Sequence, residues 1–229
     1  MPRHATRAHL ACSYDGPSTC SPPLQLPPVF ISFEGIDGSG KSTQVRLLTE
    51  ALRAQGHEVV AVREPGGTDL GERIRSLLLD PATEAVPRAE LLLFSAARAQ
   101  LVDEVIRPAL ASGAVVIADR FFDSSTAYQG YGRRLATSDE LHPIHEFATG
   151  GLIPDLTFVL DVDLDTAAHR RGPTRDRIEA AGNDFFSRVR EAYHQLARVE
   201  PTRVRLISQA TAPEIVHQQI WKAIEATLR

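Results

Sequence analysis

Cysteine is nearly absent, with two residues in 229, Cys12 and Cys20, both close to the amino end. A disulfide framework or a thiolate metal centre in the bulk of the chain is excluded by that, and a reducing, cytoplasmic location is expected. No apolar run approaches the ~20 residues that crossing a bilayer takes, so no membrane partner is expected either. An excess of positive charge is missing too. Lys and Arg number 25 against 29 Asp and Glu, which leaves no electrostatic footprint for nucleic acid, so any positive field must be local and suited to small anions. Two catalytic patterns are absent, the H-R-D loop and the G-x-G-x-x-G loop of protein kinases, and a protein hydroxyl is therefore not the expected acceptor of a phosphoryl group.

What is present suits one globular domain. An apolar fraction of 43% over this length is enough to build a full core. Residues 1–28 differ in character: Pro17, Pro22, Pro23, Pro27 and Pro28 stand among Ser, Thr and Gly without sustained periodicity, and a disordered extension is expected there. Arg3 and Arg7 precede an apolar stretch too short for a signal peptide. From residue 29 to 229, short β-rich runs alternate with longer helical patterns and no linker divides them. The expected strands are Val29–Phe33, Glu58–Val62, Ala114–Ala118, Leu156–Asp161 and Val204–Ile207, apolar enough to be buried on both faces. Helical periodicity covers Ser42–Gln55, Leu70–Leu79, Arg88–Leu110, Asp184–Val199 and Pro213–Leu228, with Thr68 or Asp69, and Ser138 or Asp139, as candidate caps. The fold class is α/β, a five-stranded parallel sheet with helices on both faces.

Directly after the first run comes Gly35-Ile36-Asp37-Gly38-Ser39-Gly40-Lys41-Ser42, the pattern G-x-x-x-x-G-K-S between a strand and a helix. Glycines let the backbone amides turn inward on phosphate, Lys41 reaches the outer phosphates, and the Ser42 hydroxyl is placed for Mg²⁺ at a helix start. A nucleoside triphosphate is implied. Asp119, at the end of the third run, is the carboxylate expected beside Ser42 to act through Mg²⁺ or its water shell.

Arginines are more numerous than one triphosphate requires: Arg63, Arg120, Arg170, Arg171, Arg175 and Arg177 in predicted loops, with Arg75 and Arg98 on helices. Guanidinium forks suit phosphate oxygens, so a second phosphorylated ligand is expected to face the first. Residues 170–177, basic and broken by Gly172-Pro173, have the makings of a lid over about 168–180 that excludes water and supplies an arginine to the transferring group. A phosphate monoester acceptor, largely dianionic at neutral pH, needs no general base. A deoxynucleoside acceptor would need one, and Glu34 or Glu64 is available; a nucleotide-binding module without turnover is the remaining reading.

From Phe30 onward the chain resembles the bacterial thymidylate kinase family. The likeness rests on the phosphate loop running on into Thr43, on Arg63-Glu64-Pro65-Gly66-Gly67-Thr68, Phe94-Ser95-Ala96-Ala97-Arg98, Asp119-Arg120-Phe121, Ser124-Ser125-Thr126-Ala127-Tyr128-Gln129-Gly130, Pro154-Asp155-Leu156-Thr157 and Asp176-Arg177-Ile178-Glu179. The resemblance implies the three-layer P-loop nucleoside monophosphate kinase fold, ATP and dTMP as substrates, and Mg²⁺. It also implies binding of ATP by residues 35–43, contact of Asp37 with the deoxyribose 3′-hydroxyl, and a grip by Arg120 on the acceptor phosphate. Phe94 is expected to stack on thymine, with Arg75, Arg98, Ser125 and Gln129 at the base edge, Tyr128 crowding the 2′ position, and Glu64-Pro65 shaping the pocket beside Arg63. Gly38, where some members carry arginine, makes the chain similar to the lid-arginine type, with Arg170, Arg171 or Arg175 as candidates. Family members are commonly homodimers packed through long helices, and Leu91, Leu92, Ala96, Ala99 and Val102 would permit that.

Overall fold

The structure, a computed structural model, describes residues 26–171, 177–208 and 212–228. Five strands, β1 (Val29–Glu34), β2 (Val59–Arg63), β3 (Val115–Asp119), β4 (Leu156–Asp161) and β5 (Val204–Ser208), form one sheet of order β2-β3-β1-β4-β5. All four pairings are parallel. Helices α1 (Lys41–Ala54), α2 (Asp69–Leu79), α3 (Pro87–Leu101), α4 (Arg107–Ala111), α5 (Phe122–Ser125), α6 (Ser138–Thr149), α7 (Leu164–Arg171), α8 (Asn183–Val199) and α9 (Pro213–Leu228) connect and cover it.

Alternation along β1 shows the layers directly. Val29, Ile31 and Phe33 pack with Leu48 and Leu52 of α1 and Val216, Ile220 and Ile224 of α9. Phe30 points the other way, onto Leu101, Val102 and Ile106. Because successive strand residues face opposite sides, six consecutive buried positions require cover on both faces. A third apolar cluster joins Tyr128, Phe185, Phe186, Val189 and Tyr193, and fastens α8 beside the carboxyl edge of the sheet.

Three expectations are corrected. The helix anticipated over Arg88–Leu110 is α3 and α4 joined by a π-helical turn, Val102–Ile106. A one-residue insertion of that kind preserves apolar periodicity in outline, which is why the pattern reads as a single helix. The cap of α6 is Thr137 rather than Ser138 or Asp139: its side chain accepts from the Glu140 amide while the Glu140 carboxylate accepts from the Thr137 amide. In α2 the choice falls on Thr68, which accepts from Gly71 N at 3.0 Å. Third, Leu91 and Val102 are buried in the protomer, 3% and 0% exposed, and are not available to a dimer face. Most of the extension expected over 1–28 lies outside the described residues, as do both cysteines; Leu26 already packs on the core.

Candidate active site

All functional side chains converge on the carboxyl edge of β1, β2 and β3, where ligands of open parallel sheets bind. The register Phe33↔Asp119 and Arg63↔Asp119 brings three strand ends level. Two cavities adjoin there. One is walled by Gly38, Gly40, Lys41, Ser42, Thr43, Arg63, Asp119 and Arg170; the other by Pro65, Leu79, Phe94, Ser124, Ser125, Tyr128, Gln129 and Ile178. Asp37, Glu64, Arg75 and Arg120 belong to both walls.

In the first cavity the loop glycines sit where no larger residue fits. At Gly35, φ is +131° and a Cβ would lie 2.6 Å from the Leu160 carbonyl oxygen; at Gly38, φ is +84° and a Cβ would lie 2.5 Å from that of Ala167 in α7. Lys41 is buried, and its Nζ donates to the carbonyls of Gly35 at 3.1 Å and Ile36 at 3.0 Å. Burial, and then the nearby Arg120, push this amine down to about 8. Ser42 Oγ donates to Asp119 Oδ2 at 2.6 Å. A hydroxyl beside a carboxylate is a hard oxygen pair of the kind Mg²⁺ accepts, and Mg²⁺ keeps several waters and phosphate oxygens rather than a full protein cage. No cluster of three or more His, Cys, Asp or Glu suited to a metal occurs among the described residues.

The junction is built around Arg120, whose backbone takes φ +75°, a conformation a non-glycine residue adopts only when its surroundings enforce it. Enforcement is visible: its amide donates to Phe33 O at 2.9 Å, Nη1 to Gly35 O and Ser124 Oγ, and Nη2 to Asp37 Oδ1 at 2.6 Å and Tyr128 Oη. Tyr128 Oη in turn donates to Asp37 Oδ2 at 3.0 Å. Burial works to raise the Asp37 carboxyl, but Arg120 and Lys41 prevail and hold it well below the usual range. Beneath lies Glu34, fully buried, whose carboxylate accepts from Phe121 N, Ser124 Oγ and Tyr193 Oη. It lines neither cavity, so its part is to seat the turn that carries Arg120.

The second cavity is lined by the aromatic Phe94 together with Tyr128, Ser125 and Gln129. Arg75 donates to Pro65 O at 2.9 Å. Arg98, expected at the base edge, is instead 1% exposed behind the wall, where it donates to Glu64 Oε2 at 2.8 Å, Phe121 O and Ser125 Oγ. Its Nη1 and Glu64 Oε1 are buried without hydrogen-bond partners. Burial pushes the Glu64 carboxyl up to about 7 against the pull of Arg98.

The arginine surplus is thinner than the sequence suggests. Arg63 pairs with Glu72 at 3.0 Å, and Arg177 with Glu90 at 2.7 Å, so both have structural duties. Arg170 reaches toward the loop, with Nη1 3.5 Å from Gly38 O. Arg171 closes α7, while Arg175 and the centre of the expected lid lie outside the described residues. The sequence assigned no role to Ser124 and Ile178, which entered only within family motifs, nor to Leu79 and Glu90, and offered Glu34 as a possible base. Glu34 does carry a signal, a carboxylate ending an otherwise apolar strand; Glu90 carries none, since an acid in the first turn of a helix ordinarily faces water.

A parallel sheet of this order with a glycine loop between β1 and α1, opening on a cavity lined by Lys41, Ser42 and Asp119, defines a phosphate-loop nucleotide-binding protein. Comparison with known proteins narrows the class. A family model described as thymidylate kinase matches residues 33–220. A thymidylate kinase of Bifidobacterium longum is 50% identical over 205 residues, spanning 88% of this chain and 97% of the relative. One of Kosmotoga olearia is 50% identical over 196 residues, spanning 85% and 94%. The crystal structure of thymidylate kinase from Ehrlichia chaffeensis superposes with a TM-score of 0.72 at 36% identity, covering 86% of this chain and 98% of that one. The chain belongs to the thymidylate kinase family.

Proposed function

We propose that this protein transfers the γ-phosphoryl group of ATP to dTMP, giving ADP and dTDP. The observation that carries the proposal is the wall shared by the two cavities: Asp37, Glu64, Arg75 and Arg120 stand between a triphosphate cradle and a pocket with an aromatic face and a few polar anchors. Two anionic ligands meet there across an arginine. Transfer between them is a matter of alignment and charge neutralisation, with no protein nucleophile.

In this reading the backbone of residues 35–43 cradles the ATP phosphates and Lys41 leaves its loop carbonyls for the outer phosphate oxygens. Ser42 and Asp119 would hold Mg²⁺, which supplies charge to the phosphates when bound. Arg120 grips the dTMP phosphate and Asp37 the 3′-hydroxyl. Tyr128, tied to Asp37, occupies the space a 2′-hydroxyl would need, while Phe94 stacks on the base with Arg75, Ser125 and Gln129 at its edge. Arg98 acts from behind the wall by holding Glu64 and Ser125. The lid cation is assigned to Arg170, Arg171 or Arg175.

Of the two candidate bases a nucleoside acceptor would need, Glu34 already accepts three hydrogen bonds and lines neither cavity, and Glu64, which lines both, is tied to Arg98 through Oε2. ADP release measured with ATP against dTMP, thymidine, dUMP and dCMP is the test. Turnover that depends on dTMP is expected; equal turnover without any acceptor, or with thymidine alone, would refute the proposal.

We further propose a cytoplasmic homodimer. No helix among the described residues is long and apolar enough to cross a membrane. On α3, Leu92 is 59% exposed, and α6, which packs against α3, exposes Phe147 at 91%. A pair of apolar side chains so exposed on neighbouring helices suits a second copy.

A further inference from the structure

Glu90 stands in the first turn of α3 and is 1% exposed, an unusual place for a carboxylate. Four donor contacts explain it. Gln129 Nε2 donates to its Oε1 at 2.8 Å, Arg133 Nε to the same oxygen at 3.3 Å, Arg133 Nη2 to Oε2 at 3.1 Å, and Arg177 Nη1 lies 2.7 Å from Oε2. Burial works against the charge, yet the bonds from Gln129, Arg133 and Arg177 hold the carboxyl below its ordinary range. An ionised carboxylate is an acceptor only.

That restricts Gln129. The ends of an amide exchange by a half-turn, and a glutamine in a pocket wall could present either a donor or an acceptor. Here the oxygen end turned toward Glu90 would set lone pairs against lone pairs beside a full negative charge. The nitrogen end must face Glu90. Glu90 lines neither cavity whereas Gln129 lines the acceptor pocket, so the amide oxygen is left for the pocket.

We infer that Glu90 is a positioning residue that sets base choice: by fixing the Gln129 amide with its oxygen toward the pocket, it selects a pyrimidine offering a ring N–H, as thymine and uracil do. Cytosine presents a ring lone pair at that place and meets an oxygen. A polar pocket left with an unmade bond rejects the wrong ligand strongly, by contrast with a pocket that merely lacks contact. The inference rests on the proposed phosphorylation of dTMP and adds the residue that enforces its base selectivity. The same carboxylate anchors Arg177, whose backbone N and Nε also bond Leu79 O and Leu78 O, so the strand of chain bearing Ile178 of the pocket wall is fixed to the same post.

The test compares kcat/KM for dTMP and dCMP, with ATP and Mg²⁺, in the unsubstituted protein, E90Q and E90D. A glutamine at position 90 can donate or accept, so both orientations of the Gln129 amide become accessible and the dTMP-to-dCMP ratio should fall about tenfold. E90D, which keeps the acceptor-only group, should retain the ratio. A loss of activity equal for both acceptors, leaving the ratio of E90Q unmoved, is what a purely structural role would give and overturns the inference. A measurement without substitution guards against misfolding: the Gln129 Nε2 protons, followed by NMR, should stay protected from exchange when dTMP binds, and their release would also overturn it. Should the unsubstituted protein fail to use dTMP, the functional reading itself falls; a dTMP-selective protein whose ratio ignores E90Q removes only the assignment to Glu90.

Discussion

Asp37 and Arg120 meet at 2.6 Å in the wall that the two cavities share, and each fixes the other. The carboxylate holds the guanidinium fork in one plane, while the fork keeps the carboxylate ionised at any pH the enzyme would meet.

Shortening this fork should cost catalysis more than affinity. Arg120→Lys keeps the charge but cannot reach Gly35 O, Ser124 and Asp37 together, and kcat/KM for dTMP is expected to drop about 10²-fold, mostly in kcat. Steady-state kinetics decide it. A loss under threefold would remove Arg120 from the reacting centre.

Burial, and then Arg120, push the Lys41 amine down to about 8. Phosphate oxygens favour the charged form, so nucleotide binding above pH 8 must draw a proton from solution, and below about pH 7 it need not. Calorimetry at pH 8.5 in buffers of different ionisation enthalpy should register uptake of a fraction of a proton. In Lys41→Met that uptake should vanish, and its persistence would place the titrating group elsewhere.

Asp123 is 1% exposed and takes both oxygens' bonds from Arg203, at 2.7 and 3.0 Å, with Thr157 alongside. Removing one partner leaves a buried charge unpaired. Arg203→Met is expected to destabilise the protein by about 3–5 kcal/mol, and adding Asp123→Asn should recover much of it. Urea unfolding of the three proteins is the measurement; an additive double variant would contradict the coupling.

His145 packs against Phe122 with its ring 5.3 Å away and shares a hydrogen bond with Thr126. Burial, with Arg98 and His142, brings its pKa down to about 3 from 6.5. Between those values the unfolded chain binds the extra proton, so this residue's contribution is full above pH 6.5 and declines as pH falls toward 3. His145→Phe should flatten the dependence of the unfolding midpoint on pH between 6.5 and 4. An unchanged slope would assign the acid limb to other groups.

The fold was legible because its strands are apolar on both faces and its phosphate loop has one compatible setting. All five strands fall within a residue of their expected bounds. The residues touching ligand space, such as Ser42 beside Asp119, were legible for the same reason: strand ends and loop order determine them. What stayed hidden is the layer behind. Arg98 behind Ser125, Glu90 behind Gln129 and Glu34 held by Tyr193 beneath Arg120 join residues 27 to 159 positions apart, and no spacing along the chain encodes such a meeting. The π-helical turn at Val102–Ile106 escaped because a single added residue shifts hydrogen bonding while barely disturbing the apolar pattern.

At Gly38 the missing side chain has a tenant: the Ala167 carbonyl of α7 sits 2.5 Å from where a Cβ would stand. A cation carried on the loop at this position and a helix docked so closely over it are mutually exclusive. Changing one therefore requires changing the other. An arginine placed at this loop position by a single substitution would push against the α7 backbone at Ala167, so accommodating it requires the loop and the helix to move together.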